Sequence, residues 1–423
     1  MKDLGESLPL YSILPFAALL LAIAILPLLW PHPWERLKNK AIVAWGLALP
    51  VAIWFLRHDA SHLAHTGLEY LAFIALLGSL YVISGGILFT GDLRATPLVN
   101  TAFLAVGGVL ANLIGTTGAS MLLIRPLLET NMERERKQHI PIFFIFVVSN
   151  VGGCLTPLGD PPLFLGFLRG VPFTWTFGLF PEWLLMMGLL LVTFFAIDSL
   201  AVRRETRAAL RLDRAHQRKL HLAGTHNFLY LAGVLGAVFL PVWPRIGAML
   251  GLAWLSLATT KRWIHDRNRF SFYPIQEVAI LFAGIFVAMI PALLILEARG
   301  ASFGIREPWQ FFWLTGGLST FLDNAPTYLT FASLALGLHG LGEGAGHAEG
   351  GPLLALIHHG DGEQLLRAIS LGAVFMGANS YIGNGPNFMV KAIAEERKVA
   401  MPSFFGYMAW SVAILVPMFL PVT

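Results

Sequence analysis

The chain has 423 residues and a net charge of +4, and 56% of its residues are hydrophobic while only 13% are charged. Soluble proteins carry about 25% charged residues, so this composition argues against a cytosolic enzyme or a nucleic-acid-binding protein. It predicts an all-α polytopic membrane protein. The single cysteine, Cys154, excludes an internal disulfide bond and a cysteine-based metal cluster.

Apolar stretches long enough to cross about 30 Å of hydrocarbon predict about ten transmembrane helices. The first stretch is interpreted as a membrane helix and not as a signal peptide, because it is too long for a signal core and no small-residue cleavage site follows it. The ten stretches lie near residues 10–30, 41–56, 69–90, 140–168, 177–201, 225–243, 245–260, 273–298, 366–392 and 402–421.

Two further apolar stretches, 98–129 and 309–337, are interrupted at their centres by small and polar residues. The interruptions are Asn112–Gly118 and Leu322–Pro326. We expect both stretches to be re-entrant hairpins, which enter the membrane and leave on the same side. The alternative is two short spanning helices in each stretch, of only about 13 residues, well below the roughly 20 that a crossing needs.

The distribution of basic residues predicts the orientation. With the N-terminus outside, the predicted inside loops hold 21 of the 29 Lys and Arg residues, as the positive-inside rule requires. An even number of crossings then places both termini outside, which is the periplasmic side of an inner (plasma) membrane. Much of the basic excess lies in residues 202–224, interpreted as a solvated cytoplasmic linker; contact with anionic lipid is the alternative.

The sequence also contains an internal repeat. Glu69–Leu77 matches Glu277–Ile285 at an offset of 208 residues, and Leu158–Phe164 matches Ile382–Phe388 at an offset of 224. An insertion around 338–352 accounts for the difference between the two offsets. Five crossings and one hairpin in each half require inverted repeats, predicted to span 1–201 and 225–423. Inverted repeats with interrupted helices are typical of secondary transporters with a site at mid-membrane.

Polar residues are concentrated in the two hairpin tips and in the two interrupted helices, 140–168 and 366–392. Gly and Pro free backbone groups there, and hydroxyl, amide and carbonyl oxygens are the ligands that a small cation needs. Helix N-termini in the same places suit an anion equally well. The broken backbone alone therefore does not determine whether the bound ion is positive or negative. The candidate ion-binding residues are Asn112, Thr116, Thr117, Ser149, Asn150, Thr156, Asp160, Asp323, Asn324, Asn379, Ser380 and Asn384.

Asp160 and Asp323 are the carboxylates of this set. A carboxylate within the membrane is costly and is functional by default, although each aspartate precedes a proline and is also a candidate helix N-cap. Two carboxylates among neutral oxygens favour Na⁺ or H⁺ over an anionic substrate. We therefore expect Na⁺ to bind at Asp160 and Asp323.

Arg125, in the exit arm of the first hairpin, has three interpretations: an ion pair with one aspartate, an interfacial position, or contact with an anionic substrate. Glu69 and Glu277 match across the repeat and are expected to have structural roles. Cys154 is expected to be a packing residue. Seven histidines fall in outside segments and are interpreted as solvated, with metal binding or pH sensing as the alternative: His58, His62, His65, His339, His347, His358 and His359.

The motifs Ala111–Ser120, Ser149–Gly153 with Leu158–Pro161, and Leu322–Pro326 resemble those of the ion transporter superfamily. Within it the chain is most similar to NhaD-type sodium/proton antiporters and their citrate-transporter-like relatives. The resemblance implies a homodimer and an elevator motion of a transport domain. The dicarboxylate branch carries Ser-Asn-Thr at both hairpin tips, whereas this chain has Gly115-Thr-Thr117 and Asp323-Asn-Ala325.

The sequence thus predicts a secondary active transporter that exchanges Na⁺ or Li⁺ for H⁺ by alternating access. The alternative is a sodium-coupled transporter of citrate or another small carboxylate. Enzymatic activity is not expected, because the Gly-x-Gly-Asp signature of intramembrane aspartyl proteases is absent. No cofactor or nucleic acid is expected, and the partners are Na⁺, H⁺ and the lipid bilayer.

Overall fold

A computed structural model describes residues 4–342 and 350–423. His347 and part of the 338–352 insertion lie outside the described residues. The described chain is built of α-helices with one pair of short strands. The first helices are α1 Leu4–Ser7, α2 Leu14–Leu29, α3 Pro31–Trp34, α4 Leu37–His58, α5 Ala60–Gly85, α6 Pro97–Thr130, α7 His139–Val147, α8 Pro161–Leu168 and α9 Phe180–Arg203.

The remaining helices follow the predicted linker or lie within it. They are α10 Arg207–Ala215, α11 Asn227–Ala237, α12 Val242–Thr259, α13 Arg262–Asn268, α14 Tyr273–Ala288, α15 Ile290–Arg299, α16 Pro308–Ser319, α17 Asn324–Leu338, α18 Pro352–Ile357, α19 Gly362–Met376, α20 Gly385–Glu396 and α21 Phe404–Phe419.

The chain is an all-α, multi-pass membrane protein, as the composition predicted. Six helical segments of the described residues are long and apolar enough to cross a membrane, and a seventh is counted if α13 and α14, bent by 71°, form one span. Other apolar helices, such as α11, are shorter. The predicted ten crossings, the two inverted repeats and their boundaries stay predictions.

Both interrupted stretches contain two helical arms separated by a break. In α6 the break is Gly115, whose φ of 75° and ψ of 155° lie outside helical values. A side chain is strained at that φ, so glycine is the residue that lets the chain turn there. In the second stretch α16 ends at Ser319 and α17 begins at Asn324. The break in α6 lies within the predicted interruption Asn112–Gly118, whereas the second break begins two residues before the predicted Leu322–Pro326 and overlaps it.

The two interrupted helices are also broken as predicted. A 3₁₀ turn, Val151–Leu155, separates α7 from α8, and a second, Gly377–Asn379, separates α19 from α20. Proline in the first turn begins both α8 and α20, because its missing N–H is not needed there. Each break is packed tightly: a Cβ on Gly159 would clash with the carbonyl of Gly153.

Two expectations need correction around the linker. The predicted helix 69–90 ends at Gly85, and the chain continues as strand β1, Leu88–Asp92. This strand pairs antiparallel with β2, Arg218–Ala223, in the linker. The backbone N–H of Ala95 also donates to the Asp213 carboxylate of α10 at 2.9 Å. The linker is therefore anchored to the first half of the protein and is not simply a solvated connector, although most of its side chains are exposed.

A buried ionic cluster lies where α6, α7 and α9 meet. The fully buried Asp198 carboxylate forms an ion pair with Arg134 at 2.6 Å and lies 2.9 Å from His139 Nε2. The Asn100 amide donates to the same carboxylate at 2.9 Å. Because a buried charge is tolerated only when it is paired and hydrogen-bonded, this cluster fixes the ends of the three helices relative to one another.

Candidate ion-binding site

The Asp160 carboxylate is the point at which all four interrupted segments meet. Asp160 precedes α8, and the residue is 1% exposed. Its Oδ1 accepts hydrogen bonds from the Thr116 hydroxyl and the Asn384 amide, each at 3.1 Å, and its Oδ2 accepts from the Asn324 amide. The donors belong to the first hairpin, the second interrupted helix and the second hairpin.

Asp160 stands at the N-cap position of α8, but its carboxylate accepts no hydrogen bond from the helix backbone. The capping interpretation of the sequence therefore does not describe this side chain. The carboxylate is held by three neutral donors and has no cationic partner among the described residues.

Asp323 has a different environment. It is half-buried, and its Oδ1 accepts from the backbone N–H of Ala325 at 3.1 Å, which makes it a side-chain N-cap of α17. It shares no hydrogen bond with Asp160 among the described residues. Of the two predicted carboxylates, only Asp160 is thus directly linked to the other candidate residues.

The two halves of the site repeat one pattern of contacts. The Thr156 hydroxyl donates to the carbonyl of Asn112, and the Ser380 hydroxyl donates to the carbonyl of Thr320, at the repeat offsets of 224 and 208. In each half, therefore, a hydroxyl in the helix break holds the hairpin arm that precedes the tip.

Asp160 and Asn384 occupy corresponding positions in this pattern. Both have an extended backbone, with φ and ψ of −141° and 142° for Asp160 and −154° and 141° for Asn384, and both precede a helix that begins with a proline-containing turn. The two side chains contact each other directly. The backbone of the site is consequently similar in the two halves, whereas the charge belongs to one half only.

A layer of amides supports the central carboxylate. Asn384 also lies 3.2 Å from Asn150 Oδ1 and 3.1 Å from the carbonyl of Ser149. Asn150 donates to Asn387 Oδ1 at 2.8 Å, and Asn387 donates to the carbonyls of Gly377 and Ser380 at 2.8 and 2.9 Å. Asn387 was absent from the predicted set, although it follows directly after the Gly-Pro of the second broken helix.

Buried oxygen atoms without donors are also present in the site. Asn324 Oδ1 and Asn379 Oδ1 are buried and accept no hydrogen bond from the described residues. A buried polar atom left unpaired costs about 1–3 kcal/mol. Asn324 Oδ1 belongs to the same amide that contacts Asp160, so a free neutral oxygen lies beside the carboxylate, as a cation site requires.

The remaining candidates contribute less directly. Ser149 shares a hydrogen bond of 2.9 Å with Ser120. The side chain of Thr117 is half-buried and makes no hydrogen bond within the described part of the chain. The Asn112 side-chain oxygen accepts from the backbone N–H of Leu155 at 2.7 Å. Within the described residues, none of these three side chains forms a hydrogen bond with the Asp160 carboxylate.

The two glutamates that match across the repeat both form ion pairs. Glu69 forms a two-bond ion pair with Arg169, at 3.1 and 3.2 Å, and Glu277 pairs with Lys40. These pairs explain both glutamates as structural residues. Arg125 forms no ion pair with Asp160 or Asp323, so the first interpretation of this arginine is wrong.

The described histidines of the predicted outside segments, and Cys154, lie in no metal-binding group. In the ranges that the structure covers, no group of three or more His, Cys, Asp or Glu side chains is arranged to hold a metal ion. His58 is stacked on Trp54, and His62 pairs with Asp59 at 2.9 Å. Cys154 is a free, buried thiol in the first helix break.

A model of the family described as putative citrate transport matches residues 5–423 of the chain. The match covers nearly the whole sequence, including both hairpins and both interrupted helices. No significant match is found among curated proteins. The resemblance to citrate-transporter-like proteins is confirmed by this match, while the NhaD subtype stays a prediction.

Proposed function

Since the chain belongs to the putative citrate transport family, we propose that it is a secondary active transporter that exchanges Na⁺ or Li⁺ for H⁺ at Asp160. The observation that carries the proposal is the buried Asp160 carboxylate, which accepts hydrogen bonds from three different interrupted segments. A Na⁺ ion and a proton compete for the same carboxylate oxygens, because each neutralises the same charge.

The neutral groups around Asp160 suit a cation that has lost its water. Thr116 and Asn384 contact Oδ1, and Asn324 contacts Oδ2. Rotation of these side chains turns their oxygen atoms from the carboxylate toward a bound ion. Asn324 Oδ1, which is buried and unpaired, already provides one such oxygen. Hard oxygen ligands of this kind are those that small, hard cations prefer.

The position of the carboxylate links ion binding to alternating access. An uncompensated carboxylate within the membrane is costly, so the loaded site crosses more easily when Na⁺ or H⁺ has neutralised it. Asp160 contacts both hairpins, and the charge on it therefore acts on the two segments that would open the site to one side or the other. An elevator motion, a homodimer and periplasmic termini are part of this proposal.

The exchange is tested in everted membrane vesicles that contain the full chain. A preset proton gradient is followed with a dequenching dye while Na⁺ or Li⁺ is added, between about pH 6.5 and 9, a range that starts at the ordinary pKa of histidine. We expect either cation to collapse the gradient. The proposal is wrong if neither does so at any pH in vesicles in which the protein is shown to be present.

Sodium-coupled uptake of citrate or another small carboxylate is the second candidate, because the family description names citrate. The hairpin tips do not carry the Ser-Asn-Thr pattern of the dicarboxylate branch, which favours the first candidate. The same vesicles separate the two functions. Exchange without citrate supports antiport, whereas Na⁺-dependent accumulation of labelled citrate, with no effect of Na⁺ alone on the proton gradient, supports carboxylate uptake.

A further inference from the structure

Arg125 is a partly buried cation without a counterion. Its Nη1 atom is buried and unpaired, and the side chain forms no ion pair or hydrogen bond with any residue in the described ranges. The positively charged side chains whose fields act on it are Arg269 and Arg397. A guanidinium held in this way is unfavourable unless an anion compensates it.

The face of α6 that carries Arg125 is lined by neighbours that supply no anion. Met121 lies one turn before Arg125 and packs in a cluster with Tyr81 of α5, Phe270 before α14 and Met389 of α20. Glu129 lies one turn after Arg125, where an i, i+4 partner would be expected. Glu129 is instead engaged by Arg397. Arg125 therefore lies on a helix that packs against both α5 and α20, and the carboxylate one turn after it is already paired.

Three basic residues of the neighbouring segments are paired. Arg269 contacts Glu396, and Lys391 pairs with Glu395 at 2.8 Å. Together with the pair of Arg397 and Glu129, these contacts leave the charge of Arg125 as the one in this group that is not matched within the described chain. These seven side chains together carry one excess positive charge.

We propose that Arg125 binds an anion carrying a carboxylate or phosphate group at the predicted cytoplasmic side of the protein. A guanidinium presents parallel N–H donors that fit the two oxygens of either group. The group comes from a small dissolved anion or from the headgroup of an anionic lipid. This site is separate from Asp160, and its test does not depend on the proposed exchange.

The proposal is tested by thermal unfolding of the purified full chain in detergent with neutral phosphatidylcholine. Citrate, inorganic phosphate or phosphatidylglycerol is titrated into wild-type protein, Arg125→Gln and the control Arg211→Gln, which alters an exposed arginine of α10. We expect at least one anion to raise the unfolding temperature of wild type and control. In Arg125→Gln the concentration for a half-maximal shift is expected to rise by at least tenfold.

The unliganded variant supplies a second measurement. Removing an uncompensated charge should leave the unfolding temperature of Arg125→Gln equal to or above that of wild type, whereas removal of a structural arginine would lower it.

A response to citrate or phosphate assigns the site to a dissolved anion, and a response to phosphatidylglycerol alone assigns it to lipid. The proposal is overturned if no anion stabilises wild type, or if Arg125→Gln responds as wild type does. If Arg125→Gln does not fold, Arg125→Lys is titrated instead, because it keeps the charge but not the paired donors. An unchanged response of Arg125→Lys to the anions also overturns the proposal.

Discussion

Replacing Asp160 with Asn tests the site most directly, because the side chain keeps its shape and loses its charge. Two unit charges about 4 Å apart interact by roughly 4 kcal/mol at an effective dielectric constant of about 20. A loss of that size corresponds to roughly a thousandfold weaker cation binding. We therefore expect Asp160→Asn to abolish exchange driven by Na⁺ or Li⁺ in everted vesicles.

The same substitution also disturbs the hydrogen bonds. Both carboxylate oxygens of Asp160 accept from side-chain donors, so the new amide nitrogen would face one of those donors in either orientation. One buried donor left unpaired costs about 1–3 kcal/mol. Protein yield must therefore be measured beside transport, to separate loss of binding from loss of folding.

The double substitution Asp160→Asn with Asn384→Asp is the matched control. It moves the carboxylate to the other side of a contact of 3.1 Å and preserves the number of amides and charges. Measurable exchange should return. The reasoning is refuted if Asp160→Asn alone, present in normal amount, keeps a half-maximal Na⁺ concentration within about tenfold of wild type, against the thousandfold change expected from the Coulomb energy.

Three further substitutions test other parts of the structure. Asp323→Asn should retain exchange, because Asn caps a helix as well as Asp does. Asp323→Ala should instead lower the stability to thermal unfolding by about 1 kcal/mol. Loss of exchange in folded Asp323→Asn would show that the charge of Asp323 is used. Arg134→Ala removes the arginine partner of the buried Asp198 and leaves only His139 and Asn100 beside it. This loss should cost about 3–5 kcal/mol, seen as a lower unfolding temperature; an unchanged temperature would contradict a stabilising role for the cluster. Burial, followed by the charge of Glu133, raises the pKa of Asp92 to about 6. The folded state then holds this proton more tightly than the unfolded state, so stability falls as the pH rises from about 4 to 6. Asp92→Asn should remove that fall from a pH series of unfolding temperatures, and an identical series for wild type and variant would contradict the assignment.

The sequence predicted the segments of the site better than the role of each residue. Runs of apolar residues indicated a multi-pass membrane protein, and the small and polar residues of Asn112–Gly118 predicted the break in the first hairpin. Asp160 and Asp323 looked alike because both precede proline. Only the direction of each side chain, toward three donors or toward a backbone N–H, separates a candidate ion ligand from a helix cap.

Contacts between distant parts of the chain were the hardest to predict. Arg134 and Asp198 are far apart in the sequence, and Arg134 was counted only as one of the basic residues that set the orientation. The pairing of β1 with β2 was also missed, since neither strand is long or strongly alternating. Local patterns do not report which partner a charged or extended segment meets after folding.

The unequal charge of Asp160 and Asn384 has an electrical consequence. A site with one carboxylate has the same net charge whether Na⁺ or H⁺ occupies it. If the proposed exchange moves one Na⁺ or Li⁺ against one H⁺, a complete cycle transfers no net charge across the bilayer. Such a protein would respond to differences in concentration and be indifferent to membrane voltage, so a cell could use it equally well when its membrane is depolarised.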